Sequence, residues 1–165
     1  MHHITDFYRY NSYVRKRYLD AIEKLPWEDV VKDRGASFGS IRNVFLHVLN
    51  AYRYWFLFAV KDDLREYKGI DIQSCNSVEE MRKHEMEVDA MMNLFLENVH
   101  EEDMSKVHTI HAESATYDVT LETILMHMIE EELQHRGEIN CMFWQQNVEP
   151  PIVEYGQWVG QWVEL

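Results

Sequence analysis

His127, Glu131 and His135 fall at successive four-residue steps within Met126–Trp144, MHMIEEELQHRGEINCMFW. On a helix that spacing stacks three potential metal ligands along one side. At about 100° per residue, Leu121, Ile124, Leu125, Met128, Ile139, Met142 and Phe143 form one apolar stripe. His135 falls near its middle, Glu131 about 40° away on its flank, and His127 one turn further out at the edge. A carboxylate on a buried flank loses hydration unless a cation or hydrogen-bond donors compensate it. A metal ion does so economically, because an i,i+4 pair can converge on one ion, as the two histidines of H-E-x-x-H zinc proteases do. The pair here is Glu131 and His135. The competing readings are a solvated acidic run, Glu130-Glu131-Glu132, beside a hydrogen-bonded core histidine, and a buried His-Glu-His network without metal. A third ligand from another element would favour the metal.

The elements that must position these residues are helices. Periodic apolar residues run from about Ile4 to Leu25, with Phe7, Val14, Tyr18, Ala21, Ile22 and Leu25 on one face, and Pro26 breaks the pattern. After a connector over Trp27–Gly39, Ser40 is an N-cap for a second helix reaching about Val60, with Ile41, Val44, Val48, Ala51, Tyr52 and Trp55 inward. His47 lies at the margin of that face, where a side chain reaches a neighbouring helix. Ser77-Val78-Glu79-Glu80 is a capping box opening a third helix that ends near His100. Met81, Met86, Met91 and Met92 recur at helical spacing and are expected as core filler. The fourth helix spans about Leu121 to Gln146. In it Cys141 is expected as a small core residue, Arg136 as an ion-pair or packing residue, and Gly137 as a point of close helix approach.

The 16-residue connector Lys61–Asn76 can extend about 50 Å, against roughly 30 Å for a 20-residue helix, so it can return along the bundle and make the second and third helices parallel. Glu101–Val119 is compatible with a short hairpin or an extended crossover. Trp158 and Trp162 in the tail are expected to fold back on the bundle or to pack on a second subunit. Together these elements predict an all-α fold, a four-helix bundle with long crossover connections, in a single domain over residues 1–165.

Composition narrows the partners. A formal charge of −13, with 29 acidic against 16 basic residues, argues against nucleic acid, whose binding rests on Lys and Arg displacing counterions. The longest apolar run, Tyr54–Val60, is seven residues, far below the roughly 20 that span a bilayer. No membrane is expected, and no signal-peptide core stands at the N-terminus, so a soluble cytoplasmic protein is the default expectation. Cys75 and Cys141 lie far apart and suggest neither a disulfide framework nor a thiolate zinc site. His2 and His3 sit at a frayed terminus, and His84, His100, His108 and His111 are expected to be solvated.

Two stretches carry a resemblance: SIRNVFLHVLNAYRYWF, with His47, and MHMIEEELQHRGEINCMFWQ, with His135-Arg136-Gly137. Over nearly its whole length the chain resembles the DinB/YfiT-like family of small metal-binding four-helix bundles. That family's fourth helix typically reads H-x-x-x-H-x-x-x-H-R-G, and its metal site combines the second-helix histidine with the last two of these positions. The resemblance therefore implies His47, Glu131 and His135 as ligands, with Glu131 where many members have histidine. Two histidines and one carboxylate suit zinc and also non-haem iron. The added negative charge should raise the pKa of a bound water relative to an all-histidine site. His127 becomes a fourth or outer-shell candidate.

The resemblance further implies an up-down-down-up bundle, a homodimer, a divalent cofactor (Zn, Ni, Fe or Mn) and, by analogy with thiol S-transferases and hydrolases of the family, a metal-dependent enzyme with a small thiol as possible substrate. A non-catalytic metal-binding stress-response bundle is the alternative. A ferritin-like di-iron site, suggested by Glu132-x-x-His135 and Glu97-x-x-His100, lacks support from the second helix, which contains no Asp or Glu between Ile41 and Val60.

Overall fold

Four long helices are set by the periodic segments, and three of them begin where the sequence supplies a cap. They are α1 (His2–Ile22), α3 (Ile41–Phe56), α4 (Val78–Asn98) and α5 (Leu121–Trp144). Two short helices, α2 (Trp27–Val31) and α6 (Tyr155–Gly160), lie between and after them. The computed structural model describes residues 2–35, 37–57, 67–111 and 115–160. The expected last turn of α3, 58–60, and Trp162 lie outside the described residues.

Ser40 caps α3, its hydroxyl accepting from the backbone N–H of Asn43, and Thr120 caps α5 by accepting from Thr123 N–H. Ser77 caps α4 by accepting from Glu80 N–H, while the Glu80 carboxylate reaches past the cap to the backbone N–H of Asn76 at 2.6 Å. The α4 helix stops at Asn98, two residues short of His100. The connector after Pro26 is not all loop. Pro26 opens α2, whose fixed φ suits a helix start and whose Val30 is fully buried.

The core is one cluster contributed by all four long helices. Each of α1 and α3 packs against both α4 and α5. From α1 to α5, Tyr8 donates to the Leu125 carbonyl, Arg15 meets Glu132, and Tyr18 meets Asn140. From α1 to α4, Lys16 bonds Asp89 and Arg82 bonds Asp20 and Glu23. Between α3 and α5, His47 meets Glu131 and Trp55 meets His127. All seven stripe residues named on α5 are buried. No helix among the described residues is long and apolar enough to cross a membrane.

Of the two readings for 101–119, the hairpin is observed. A 3-10 turn over Glu101–Ser105 leads into β1 (Val107–His111), which pairs antiparallel with β2 (Thr116–Thr120), Ile110 opposite Tyr117 and His108 opposite Val119. Trp158 folds back as expected, edge-on to Tyr10 in a cluster with Tyr155, and Tyr155 stacks on Phe7.

Several expected roles are corrected. Met86 is 66% exposed, on the outer side of α4, whereas Met81 and Met92 are core. Cys141 is exposed and Cys75 buried, both as free thiols. A Cβ on Gly137 would meet nothing within 4 Å, so that glycine is not a point of close packing. Arg136 lies over the Tyr10 ring, 5.5 Å from its centroid, which is the packing role. His84 and His108 are half-buried rather than solvated; His84 Nδ1 stands 3.6 Å from Glu87 Oε2. His100 and His3 are exposed, and the side chains of His2 and His111 lie outside the described residues.

Candidate metal centre

The α3–α5 seam brings His47, Glu131 and His135 together. Glu131 Oε1 stands 3.0 Å from His47 Nε2 and 3.1 Å from His135 Nε2. The side chains are 27%, 22% and 10% exposed respectively for His47, Glu131 and His135. Ligand atoms of all three lie within 4.8 Å of one another. Two ligands about 2.1 Å from a tetrahedral ion stand about 3.4 Å apart, a few tenths of an ångström more than the two separations seen here.

The second nitrogen of His135 decides what the cluster wants. Its Nδ1 lies 3.1 Å from Glu138 Oε2, so carboxylate oxygens face both nitrogens of one ring. A neutral imidazole has a single N–H. Either His135 is doubly protonated or a cation replaces the proton on the Nε2 side. At His47 a single Nε2–H is enough to donate to the same Glu131 oxygen. One divalent ion would meet the need at His135: Nδ1–H of His135 would donate to Glu138, leaving Nε2 of both histidines and the Glu131 carboxylate to hold the ion. A carboxylate on the far nitrogen of a ligating histidine is the usual outer partner of such sites. Burial would raise the Glu131 carboxyl, but hydrogen bonds to His47 and His135 outweigh it and hold its pKa below the ordinary value. The donor set thus fits a divalent metal. Glu138→Gln is expected to weaken zinc affinity about 10–100-fold in a chelator-competition titration, with the fold unchanged.

Phe38 roofs the site. Its ring stacks on His47 at 3.8 Å and 21° and meets His135 edge-on at 5.3 Å. The turn that delivers it ends at Gly39, whose φ is +83° and whose added Cβ would lie 3.1 Å from Asp33 Oδ1. Only glycine takes that position without strain.

His127 is not brought into the cluster. It is exposed, one turn along α5, with its ring edge-on to Trp55 at 5.0 Å. Among the described residues, the single group of three such donors is His47, Glu131 and His135. Glu132 turns the other way, which removes it from any di-iron arrangement. It is buried, accepting from Arg15 Nη1 at 2.8 Å and from the Tyr52 hydroxyl at 2.5 Å. Arg15 also reaches Glu85 at 3.4 Å and lies over the Tyr52 ring. Burial works to lower the Arg15 pKa, but Glu132, Tyr52 and Glu85 raise it overall. Burial pushes the Tyr52 hydroxyl up, and Glu132 adds to the shift.

Sequence reasoning missed Glu138, Phe38 and this ionic network. Glu138 was available by the rule that supplied Glu131, since i+3 faces His135 as i−4 does. Phe38 sits in a connector without periodicity and carried no signal.

A mostly helical bundle with two histidines and a glutamate clustered between its second and fourth long helices defines the class of protein. The chain belongs to the DinB family, whose model matches residues 1–161. Among solved structures it is similar to a DinB-like protein from Bacillus cereus ATCC 10987, at a TM-score of 0.74 and 15% identity, covering 93% of this chain and 97% of that one. It is also similar to the DinB-like protein YjoA from Bacillus subtilis, at a TM-score of 0.66 and 14% identity, covering 92% and 98%. No curated protein matches the sequence.

Proposed function

We propose that His47, Glu131 and His135 hold one divalent ion and that the protein is a metal-dependent enzyme of thiol S-transferase or hydrolase type. The observation that carries this is the single Glu131 oxygen placed 3.0 and 3.1 Å from two imidazole nitrogens of different helices. A divalent ion bound there supplies a Lewis acid able to hold a small thiol as thiolate or to polarise an electrophile. Zn, Ni, Fe and Mn all suit the ligand set, zinc and iron best. Around it the protein's own groups have assigned tasks. Glu138 keeps the His135 proton at Nδ1, Phe38 shields the His47 ring from solvent, and Arg15 with Tyr52 holds Glu132 inward, so that its neighbour Glu131 faces the seam.

The reading includes an up-down-down-up course of the four long helices. Supporting it, the pairs Tyr8–Leu125, Arg15–Glu132 and Tyr18–Asn140 advance together along α1 and α5. Lys16–Asp89 and Asp20–Arg82 run oppositely along α1 and α4. A homodimer belongs to the same reading and rests on resemblance, while a cytoplasmic location stays the default expectation drawn from the sequence.

The Phe38 roof favours a second reading, a non-catalytic metal-binding stress-response protein, since the ring covers two of the three ligands. Protein loaded separately with zinc, nickel, iron and manganese should conjugate a small thiol to a generic electrophile, or hydrolyse an activated ester or amide, faster than His47→Ala does. Rates equal to those of His47→Ala with every metal, for several thiols and hydrolytic substrates, would sink the enzymatic reading and leave the binding one.

A further inference from the structure

Beside the metal cluster lies a cavity that the ligand set does not use. Its volume is about 160 Å³, and Trp55, Ile110, Tyr117, Thr123, Ile124 and His127 are among its walls. The size is informative. An engineered apolar cavity of about 150 Å³ takes benzene, whereas sites for whole drug-sized ligands run to about 300–1,000 Å³. One flat ring fits. The walls suit it too, because Ile110 and Ile124 are aliphatic, Trp55 and Tyr117 are aromatic, and polar groups are few.

Those polar groups sit where they can fix orientation. His127 is held edge-on by Trp55 and keeps its ring at the cavity wall. Thr123 Oγ1 is already engaged by the capping hydroxyl of Thr120 at 2.9 Å.

Position links the cavity to the metal. His127 precedes Glu131 by four residues on α5, about 6 Å along the helix axis. A ring seated against Trp55 would hold a substituent of ordinary length within reach of the seam.

We propose that this cavity binds a small aromatic or flat apolar group carrying one hydrogen-bonding substituent, directed by His127, and that it recognises the electrophilic substrate. The second half rests on the metal-enzyme reading above; the first does not. It also gives His127 a task as a ligand-orienting residue in place of the metal-ligand role its spacing suggests.

The test uses 4-fluorophenol as probe, followed by fluorine NMR and by the ring signals of labelled histidine, with full-length protein both metal-free and zinc-loaded. The expected result is saturable binding at about 0.1–5 mM with the His127 signals shifting. Thr123→Trp, which fills the cavity from an exposed helical position, should abolish binding while leaving zinc affinity unchanged. His127→Leu should weaken it about tenfold, the worth of one hydrogen bond. His47→Ala, which loses zinc, should still bind the probe. Absence of saturable binding, unchanged binding in Thr123→Trp, or saturable binding that leaves the His127 signals unmoved would overturn the proposal, and none of these would touch the metal reading. Failure to bind zinc with the probe still bound would overturn the metal reading alone.

Discussion

Replacement of Arg15 by alanine is expected to destabilise the fold by about 3–5 kcal/mol. Arg15, Glu85 and Glu132 are 4%, 1% and 3% exposed, so removing the cation leaves two carboxylates in the core without a countercharge. Burial already pushes the Glu85 carboxyl up even with Arg15 beside it, which marks how little solvent is available to compensate. Lysine should rescue poorly, because a single ammonium cannot serve Glu85 and Glu132 with the geometry of the guanidinium fork. Arg15→Met combined with Glu85→Met and Glu132→Met should be milder than Arg15→Ala, since apolar replacement of a whole buried ionic set is often near neutral. Denaturant titrations of the variants measure this. A loss below about 1 kcal/mol for Arg15→Ala would mean that the network does not stabilise the bundle.

The second large effect comes from the metal. A ligand that binds only the folded state at about 1,000 times its Kd adds about 4 kcal/mol of stability. For a chain of this length each kcal/mol moves Tm by about 2–4 °C, so saturating zinc should raise the melting temperature by roughly 8–16 °C. His135→Ala and His47→Ala should abolish the rise, since losing a direct ligand costs more than the 10–100-fold that an outer partner does. His127→Ala should keep it. The gain should shrink as pH falls, because protons compete with the ion for its ligands. A rise of equal size in His47→Ala would place the ion elsewhere.

Much of this was legible in the residues, and what was not has identifiable causes. The four long helices followed from apolar spacing, and the caps Ser40 and Ser77 fixed two of their starts. Helix α2 was missed because the five residues WEDVV are too few to display a period. Glu131 and His135 were readable from one helix alone. His47 was readable only as a margin residue, since its partners are 84 positions away.

Glu132 is the instructive case. At about 100° per residue it lies some 60° from His135, inside the apolar stripe rather than at its flank, yet its acidic neighbours made it look solvated. Arg15 likewise falls among Tyr8, Leu19 and Ile22 on the inner face of α1. An arginine within one buried stripe and a glutamate within another imply each other, but only once the two helices are known to be neighbours. Cys141 failed for the opposite reason, its residue type suggesting the core where the helical angle faced solvent, and Met86 was grouped with Met81 although it lies about 140° from it around the helix.

The most direct test of the account is the metal content and coordination of purified protein, by elemental analysis together with X-ray absorption at the edge of the bound metal. The account predicts one ion per chain, with two imidazole nitrogens and a carboxylate oxygen in its shell, and loss of the ion in His135→Ala. Protein that takes up no ion when zinc, nickel, iron and manganese are each offered, or that binds one unchanged in both His47→Ala and His135→Ala, would contradict it.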